Sequence, residues 1–273
     1  MDTVQDYRPM FSWEGEDRWS MYNIVIRSDA GFLIDEESQG DSFRPSHGMP
    51  NGGYECSVRA WDGEAWTPFS PAVTMVVDAP TVVRTIEWAF NGESISISVD
   101  VPIQCVQEHS SDDHSQGIME RVDPYDLCVD QLASGLESVA ETMDLDLPER
   151  VNLTLAMVQE GIDYRFDISS TGRSEYFRHP VETIMDGEGD CEDKSLLFLS
   201  LMAHPWIDLE CAAMLLPIEA PTHMAAAIRM DVDWCQPYSI DDGLLFCETV
   251  HLGMRLGDVP VEWRGSAALI VPV

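Results

Sequence analysis

The chain has 273 residues, 45% of them hydrophobic, which is enough to bury one large core or two modest ones and excludes disorder throughout. Asp and Glu number 49 against 15 basic residues, a formal net charge of -34, and Lys194 is the sole lysine. Such a surface repels itself in dilute buffer but not in molar salt, where the Debye length is about 3 Å; it points to a halophile and excludes DNA, RNA and anionic lipid as partners, because no basic patch can release their counterions.

Met1 to Met10 carry charges and no apolar h-region, and no later apolar run reaches spanning length. A cytoplasmic protein without membrane insertion is expected, with an extracellular or virion assembly as the other location. The seven cysteines (Cys56, Cys105, Cys128, Cys191, Cys211, Cys235, Cys247) are scattered, with no C-x-x-C pair, so reduced, mostly buried thiols are expected.

Between Phe11 and Asp78 short alternating segments (Tyr22–Arg27, Tyr54–Trp61, Val73–Val77) separated by turn residues predict a small antiparallel sandwich over residues 1–80. The residues also resemble a fibronectin type III domain of the immunoglobulin-like class. Phe11-Ser12-Trp13 looks like its early tryptophan strand, Gly53-Tyr54 like its tyrosine corner, and Asp62-Gly63 with Trp66-Thr67-Pro68-Phe69-Ser70 like its last hairpin and exit. All these aromatics are expected to be core.

After the break at Pro80, Thr85–Phe90 and Ile95–Val99 predict a hairpin about Asn91-Gly92. Glu108 to Gly117 is polar; His109 and His114 have no companion ligands at a sensible spacing, so it is read as a loop with no metal and no chemistry. Pro124 opens a helix with Val129, Leu132, Leu136, Val139 and Met143 on one face, and Pro148 opens another with Val151, Leu155, Val158 and Ile162. A helix beginning near Cys191 packs Leu196, Leu197, Leu199 and Leu201 inward. Apolar strands then cover Ala212–Leu216, Met224–Met230 and Leu244–Cys247. Helices followed by an antiparallel sheet predict an α+β domain over residues 81–273.

The chemistry centres on Gly189-Asp190-Cys191-Glu192-Asp193-Lys194-Ser195. A thiol in the first turn of a helix faces unpaired N–H groups and the positive end of the helix dipole, which predicts a lowered thiol pKa and a nucleophile. A base and an orienting acid complete such a site. His223 stands just before one strand and Glu248 closes the next, and adjacent strands bring such residues within reach. From spacing alone, a structural role for His223 and a solvated one for Glu248 stay open, with Asp241 and Asp242 as other third members.

The segment Glu175-Tyr176-Phe177-Arg178-His179-Pro180-Val181-Glu182-Thr183-Ile184, running into Gly187-Glu188-Gly189-Asp190-Cys191-Glu192-Asp193, resembles the prokaryotic transglutaminase-like superfamily, which has a papain-like cysteine fold. The resemblance spans roughly residues 81–273 and implies Cys191, His223 and Glu248 as a catalytic triad. Leu256-Gly257-Asp258-Val259-Pro260 is similar to the Ile-Gly-x-x-Pro ending of archaeal members. The chain departs from the pattern at Lys194, where a small or hydroxyl residue is usual and whose ammonium is expected to lower the thiol pKa or pair with Asp190 or Asp193. It departs also at Ala225-Ala226-Ala227 and at Met254-Arg255, which bear on the substrate pocket. The resemblance implies acyl transfer at an amide or peptide bond of a protein or peptide substrate, hydrolysis before transamidation, with no metal or organic cofactor. The backbone N–H of Cys191 is the expected oxyanion donor. The other reading is a non-catalytic assembly protein using the fold as a scaffold, with a protein partner on the N-terminal sandwich.

Overall fold

The structure, a computed structural model, describes residues 2–16, 19–115, 117–217, 222–231, 239–240 and 243–273. The chain is mixed α+β and forms two compact units, Met1–Thr81 with Pro102–Cys105, and Val82–Val101 with Val106–Val273.

In the first unit β1 (Asp2–Val4), β3 (Met21–Ser28), β4 (Leu33–Ser38), β6 (Gly52–Trp61) and β7 (Val73–Val77) form one sheet in the order β1-β7-β6-β3-β4, and β2 (Phe11–Ser12) pairs with β5 (Ser42–Phe43) in a second. Only β1 against β7 is parallel among these pairs. Ile24, Val25 and Ile26 at the centre of β3 are buried, and Trp13, just past β2, meets Tyr22 of β3 at 5.4 Å between ring centroids, so the two sheets face one another. The Tyr54 hydroxyl donates to the Pro50 carbonyl oxygen at 2.6 Å. The expectation that every aromatic is core fails at Phe69, which is 40% exposed; its ring lies under the Arg59 guanidinium at 4.6 Å, which stacks on Trp66 as well. An arginine plane covers these rings where core atoms do not.

β8 (Thr81–Phe90) and β9 (Glu93–Pro102), which belong to the second unit except for their outer residues Thr81 and Pro102, form a hairpin. Asn91 and Gly92, with φ of 51° and 85°, supply the two left-handed residues of its tight turn. Ile86, Trp88, Phe90, Ile95, Ile97, Val99 and Val101 are buried in alternation with exposed residues. A Cβ at Gly135 would sit 2.7 Å from Ile97, and one at Gly161 would collide with Ile86, so the apolar face of the hairpin lies directly on α2 (Leu127–Thr142) and α3 (Leu147–Gly161).

Helix α2 starts three residues after Pro124, because the Asp126 carboxylate accepts the Cys128 and Val129 N–H groups and caps it. Helix α3 is capped by Asp146, with Pro148 in its first turn. The loop after α1 (Ile103–His109) leads to them, the short α4 (Asp167–Ser170) follows α3, and α5 (Pro180–Asp186) ends on Gly187 at φ 69°. A parallel bridge of β10 (Asp163–Tyr164) to β11 (Glu188–Gly189) ties the exit of α3 to the entrance of α6 (Cys191–Ala203).

Helix α6 is buried along most of its length. It packs on the sheet β14-β15-β13-β12-β16, made of β12 (Cys211–Leu216), β13 (His223–Arg229), β14 (Ser239–Ile240), β15 (Leu244–Cys247) and β16 (Leu269–Pro272), antiparallel throughout. Met214, Leu216, Ala225, Ala227, Leu244 and Phe246 pack with Val259 on one face of this sheet, whereas the Cys211 thiol reaches the Leu199 carbonyl of α6 on the other. Covered on both sides, the central strands read as unbroken apolar runs. The closing strand β16 was not foreseen from the sequence, because Leu269–Pro272 is short and weakly alternating. Among the described residues no helix is long and apolar enough to cross a membrane.

Candidate active site

The approach to Cys191 is fixed by backbone requirements. Gly187 takes the left-handed conformation that ends α5, and a Cβ at Gly189 would stand 2.7 Å from the Asp193 side chain. Asp190 then caps α6 in a reciprocal box with Asp193. Cys191 is the first helical residue, a position whose N–H has no intrahelical acceptor.

Asp193 is wholly buried and links this turn to the preceding segment. Its Oδ2 meets Arg178 Nη1 at 2.6 Å and its Oδ1 accepts the Arg178 backbone N–H at 2.8 Å. Arg178, 1% exposed, also reaches Asp167 at 3.2 Å, Asp186 at 3.2 Å and Ser170 at 2.8 Å. A buried guanidinium that makes four side-chain hydrogen bonds, three of them to carboxylates, is costly to disturb, because breaking one contact leaves buried charge unpaired.

The sequence places an ammonium beside the thiol, but the structure turns it away. Lys194 Nζ donates to the carbonyl oxygens of Gln159 at 3.1 Å and Ile162 at 2.7 Å, at the end of α3. It pairs with neither Asp190 nor Asp193 and brings no positive charge to Cys191. The cause is helical geometry: residues 191 and 194 lie three apart, and Lys194 leans toward the neighbouring helix.

The expectation of an acidified thiol is corrected in the same way. The Cys191 side chain is buried, its sulfur donates to Glu192 Oε2 at 2.7 Å, and the backbone N–H of Met224 donates to the sulfur. Burial pushes the thiol pKa well up, and the Glu192 charge and hydrogen bond and the Asp190 charge push it further; the Met224 N–H opposes them and loses. Asp190 is itself pushed up to about 9, by burial first and then by Asp193, Glu192 and Asp167, and Asp193 is pushed up to about 6, with burial outweighing Arg178. A helix dipole is a partial charge, whereas these are whole ones within a few ångströms.

The structure brings His223 and Glu248 together. His223 is the first residue of β13, Glu248 follows the last residue of β15, and the two strands pair with Ala226 opposite Cys247. His223 Nε2 lies 3.1 Å from Glu248 Oε2. Glu248 is wholly buried, and its Oε1 accepts the Val250 and His251 N–H groups at 2.8 and 3.3 Å. Burial alone would raise this carboxyl, but the hydrogen bond and charge of His223, with the Val250 N–H, outweigh it and the pKa is lowered. The carboxylate is thus ionised and able to hold the imidazole in one orientation. Met224, whose N–H meets the Cys191 sulfur, is the residue next to His223, so the thiol sits at the same strand end. Asp241, Asp242 and Cys235 lie outside the described residues; the six described cysteines are free thiols.

Two residues of this neighbourhood carried no motif. The Trp263 ring stacks on His223 at 5.3 Å and 3°, and Gln159 Nε2 donates to the carbonyl oxygens of Glu248 at 2.7 Å and Met254 at 2.9 Å. Trp263 stands three residues past the Leu256–Pro260 ending, and that proximity was the one signal available for it. Gln159 lies on an apolar helix stripe, where a buried amide already asks for buried partners.

No protein-family model and no curated protein matches the chain. Among solved structures, LapG of Legionella pneumophila is similar with a TM-score of 0.34 and 16% identity, over 62% of this chain and 80% of that one. Its EGTA-treated form gives the same score and identity over 62% and 78%. A candidate protease of Parabacteroides distasonis is similar with a TM-score of 0.33 and 10% identity, over 97% of this chain and 62% of that one. Scores of this size carry no statement about chemistry.

Proposed function

We propose that the protein is a cysteine-dependent acyl-transfer enzyme of the transglutaminase-like, papain-like kind, acting on an amide or peptide bond of a protein or peptide. The observation that carries the reading is the His223–Glu248 pair at 3.1 Å, at the strand end where the Met224 N–H meets the Cys191 sulfur. Cys191 attacks the carbonyl, His223 takes the thiol proton and returns it to the leaving amine, and Glu248 steadies the imidazole. The resting thiol is protonated, so His223 removes the proton as the bond forms, in the manner of a serine–histidine pair. The free N–H of Cys191 is the oxyanion donor, and water resolves the acyl-enzyme. No metal or organic cofactor takes part in these steps.

The N-terminal unit is read as fibronectin type III-like, supported by the Tyr54–Pro50 bond, and as a protein-binding module. The acidic surface supports work in high salt, in the cytoplasm of a halophile.

The test is covalent labelling by a peptidyl electrophile in molar salt, mapped by mass spectrometry. Cys191 should be labelled first, and His223→Ala and Glu248→Gln should each slow it about tenfold or more. Equal labelling in all three proteins refutes the triad. The buried, acid-flanked thiol favours a second reading, a scaffold without catalysis; it predicts that Cys191→Ala leaves every activity and assembly unchanged.

A further inference from the structure

The polar stretch after α1 gathers a set of ligands that its own sequence does not contain. His109 ends α1, Asp112 follows in the next turn, and His179 stands some seventy positions on, capping α5. One ligand atom from each lies within 4.8 Å of the others. Asp112 Oδ2 is 3.0 Å from His179 Nε2 and 3.7 Å from His109 Nδ1, and the two imidazoles are 4.2 Å apart between centroids.

We propose that His109, Asp112 and His179 form a binding site for a divalent transition metal of the zinc class, apart from the Cys191 site. Metal–ligand bonds of about 2.0–2.2 Å at tetrahedral angles set donors roughly 3.3–3.5 Å apart, and the two contacts to Asp112 bracket that spacing. The ligand set of two imidazoles and one carboxylate suits zinc, cobalt or nickel, and not the hard all-oxygen shell that calcium and magnesium take.

The orientation of His179 is the sharper observation. Its Nε2 is shielded from solvent and makes no hydrogen bond, although Asp112 Oδ2 is only 3.0 Å away. The distance fits a hydrogen bond and the angle does not. A shielded ring nitrogen that makes no hydrogen bond, close to a carboxylate oxygen, is a donor atom left over for a metal.

The site is also braced from behind. Buried His114 bonds the Asp112 carbonyl oxygen through Nδ1 at 2.8 Å and Glu182 Oε2 through Nε2 at 2.9 Å, while the same Oε2 accepts the His179 backbone N–H at 2.9 Å. Tyr176 stacks on His114 at 4.0 Å and donates to Glu182 Oε1 at 2.9 Å. His114 and Glu182 thus lock the Asp112 turn and the start of α5 together, which is how outer partners orient metal ligands. Asp112 and His109 keep solvent access, so the metal has an entry path and an open position.

The experiment is titration of the demetallated full chain with Co2+ in excess Mg2+, which occupies surface carboxylates. One equivalent should bind with visible d–d absorption of a low-coordinate site, and Zn2+ should displace it. His109→Ala, His179→Ala and the exposed Asp112→Asn should each weaken binding at least tenfold, while Cys191→Ala leaves it unchanged. The Asp112 side chain is about half exposed, so Asp112→Asn reports even if a histidine variant misfolds. No stoichiometric site, or the same affinity in Asp112→Asn and the histidine variants, overturns the proposal.

Discussion

Lys194 Nζ donates to the carbonyl oxygen of Ile162 at 2.7 Å, so the chain's only lysine caps a helix other than its own. A cation at the C-terminal end of α3 satisfies carbonyls that have no intrahelical partner and opposes the negative end of the dipole.

Lys194→Met should destabilise the protein by about 1–3 kcal/mol, because two buried carbonyls lose their donor. In the native protein an amine reagent should leave Lys194, which is fully buried, unmodified. Burial lowers the Lys194 pKa to about 8, against the attraction of Asp163 and Glu248. The unfolded chain therefore holds the extra proton between about 8 and the ordinary lysine value, and the stability difference between wild type and Lys194→Met should grow with pH across that window. A flat difference in chemical denaturation contradicts the buried ammonium.

Glu192 charges the surroundings of the thiol and accepts its hydrogen. Glu192→Gln should lower the Cys191 pKa and raise its alkylation by iodoacetamide at pH 8 roughly tenfold, which corresponds to one pKa unit. A pH–rate profile of the Cys191 peptide decides, and no leftward movement refutes the role given to Glu192.

Asp190 holds its proton in the folded state up to about 9. The folded protein therefore binds more protons than the unfolded one between the ordinary aspartate value and 9, and Asp190 lowers stability as pH rises through that range, by up to about 1.4 kcal/mol per pH unit. Asp190→Asn retains a good helix cap and removes this slope. Urea midpoints between pH 5 and 8 should fall less steeply in the variant; parallel slopes would mean that Asp190 is ionised.

Trp263 orients His223 by a parallel stack. Trp263→Ala should slow Cys191 acylation about three- to tenfold, the equivalent of one aromatic contact, and Trp263→Phe should retain most of the rate. Equal rates in the Phe and Ala variants would leave Trp263 a packing residue alone.

Elements with local signals are legible from the residues alone. Asn91-Gly92 specifies the hairpin turn, the apolar stripes specify α2 and α3, and the run from Leu196 to Met202 specifies a buried helix opening at Cys191. Each of these signals acts within about one helical turn or one strand pair. Where Lys194 points, the raising of the thiol by burial and Glu192, the stacking of Trp263 on His223 and the return of His179 to His109 and Asp112 follow from the folded chain. Those outcomes depend on which remote groups lose water together. Desolvation and the convergence of distant side chains are properties of the whole chain path, and no short window contains them.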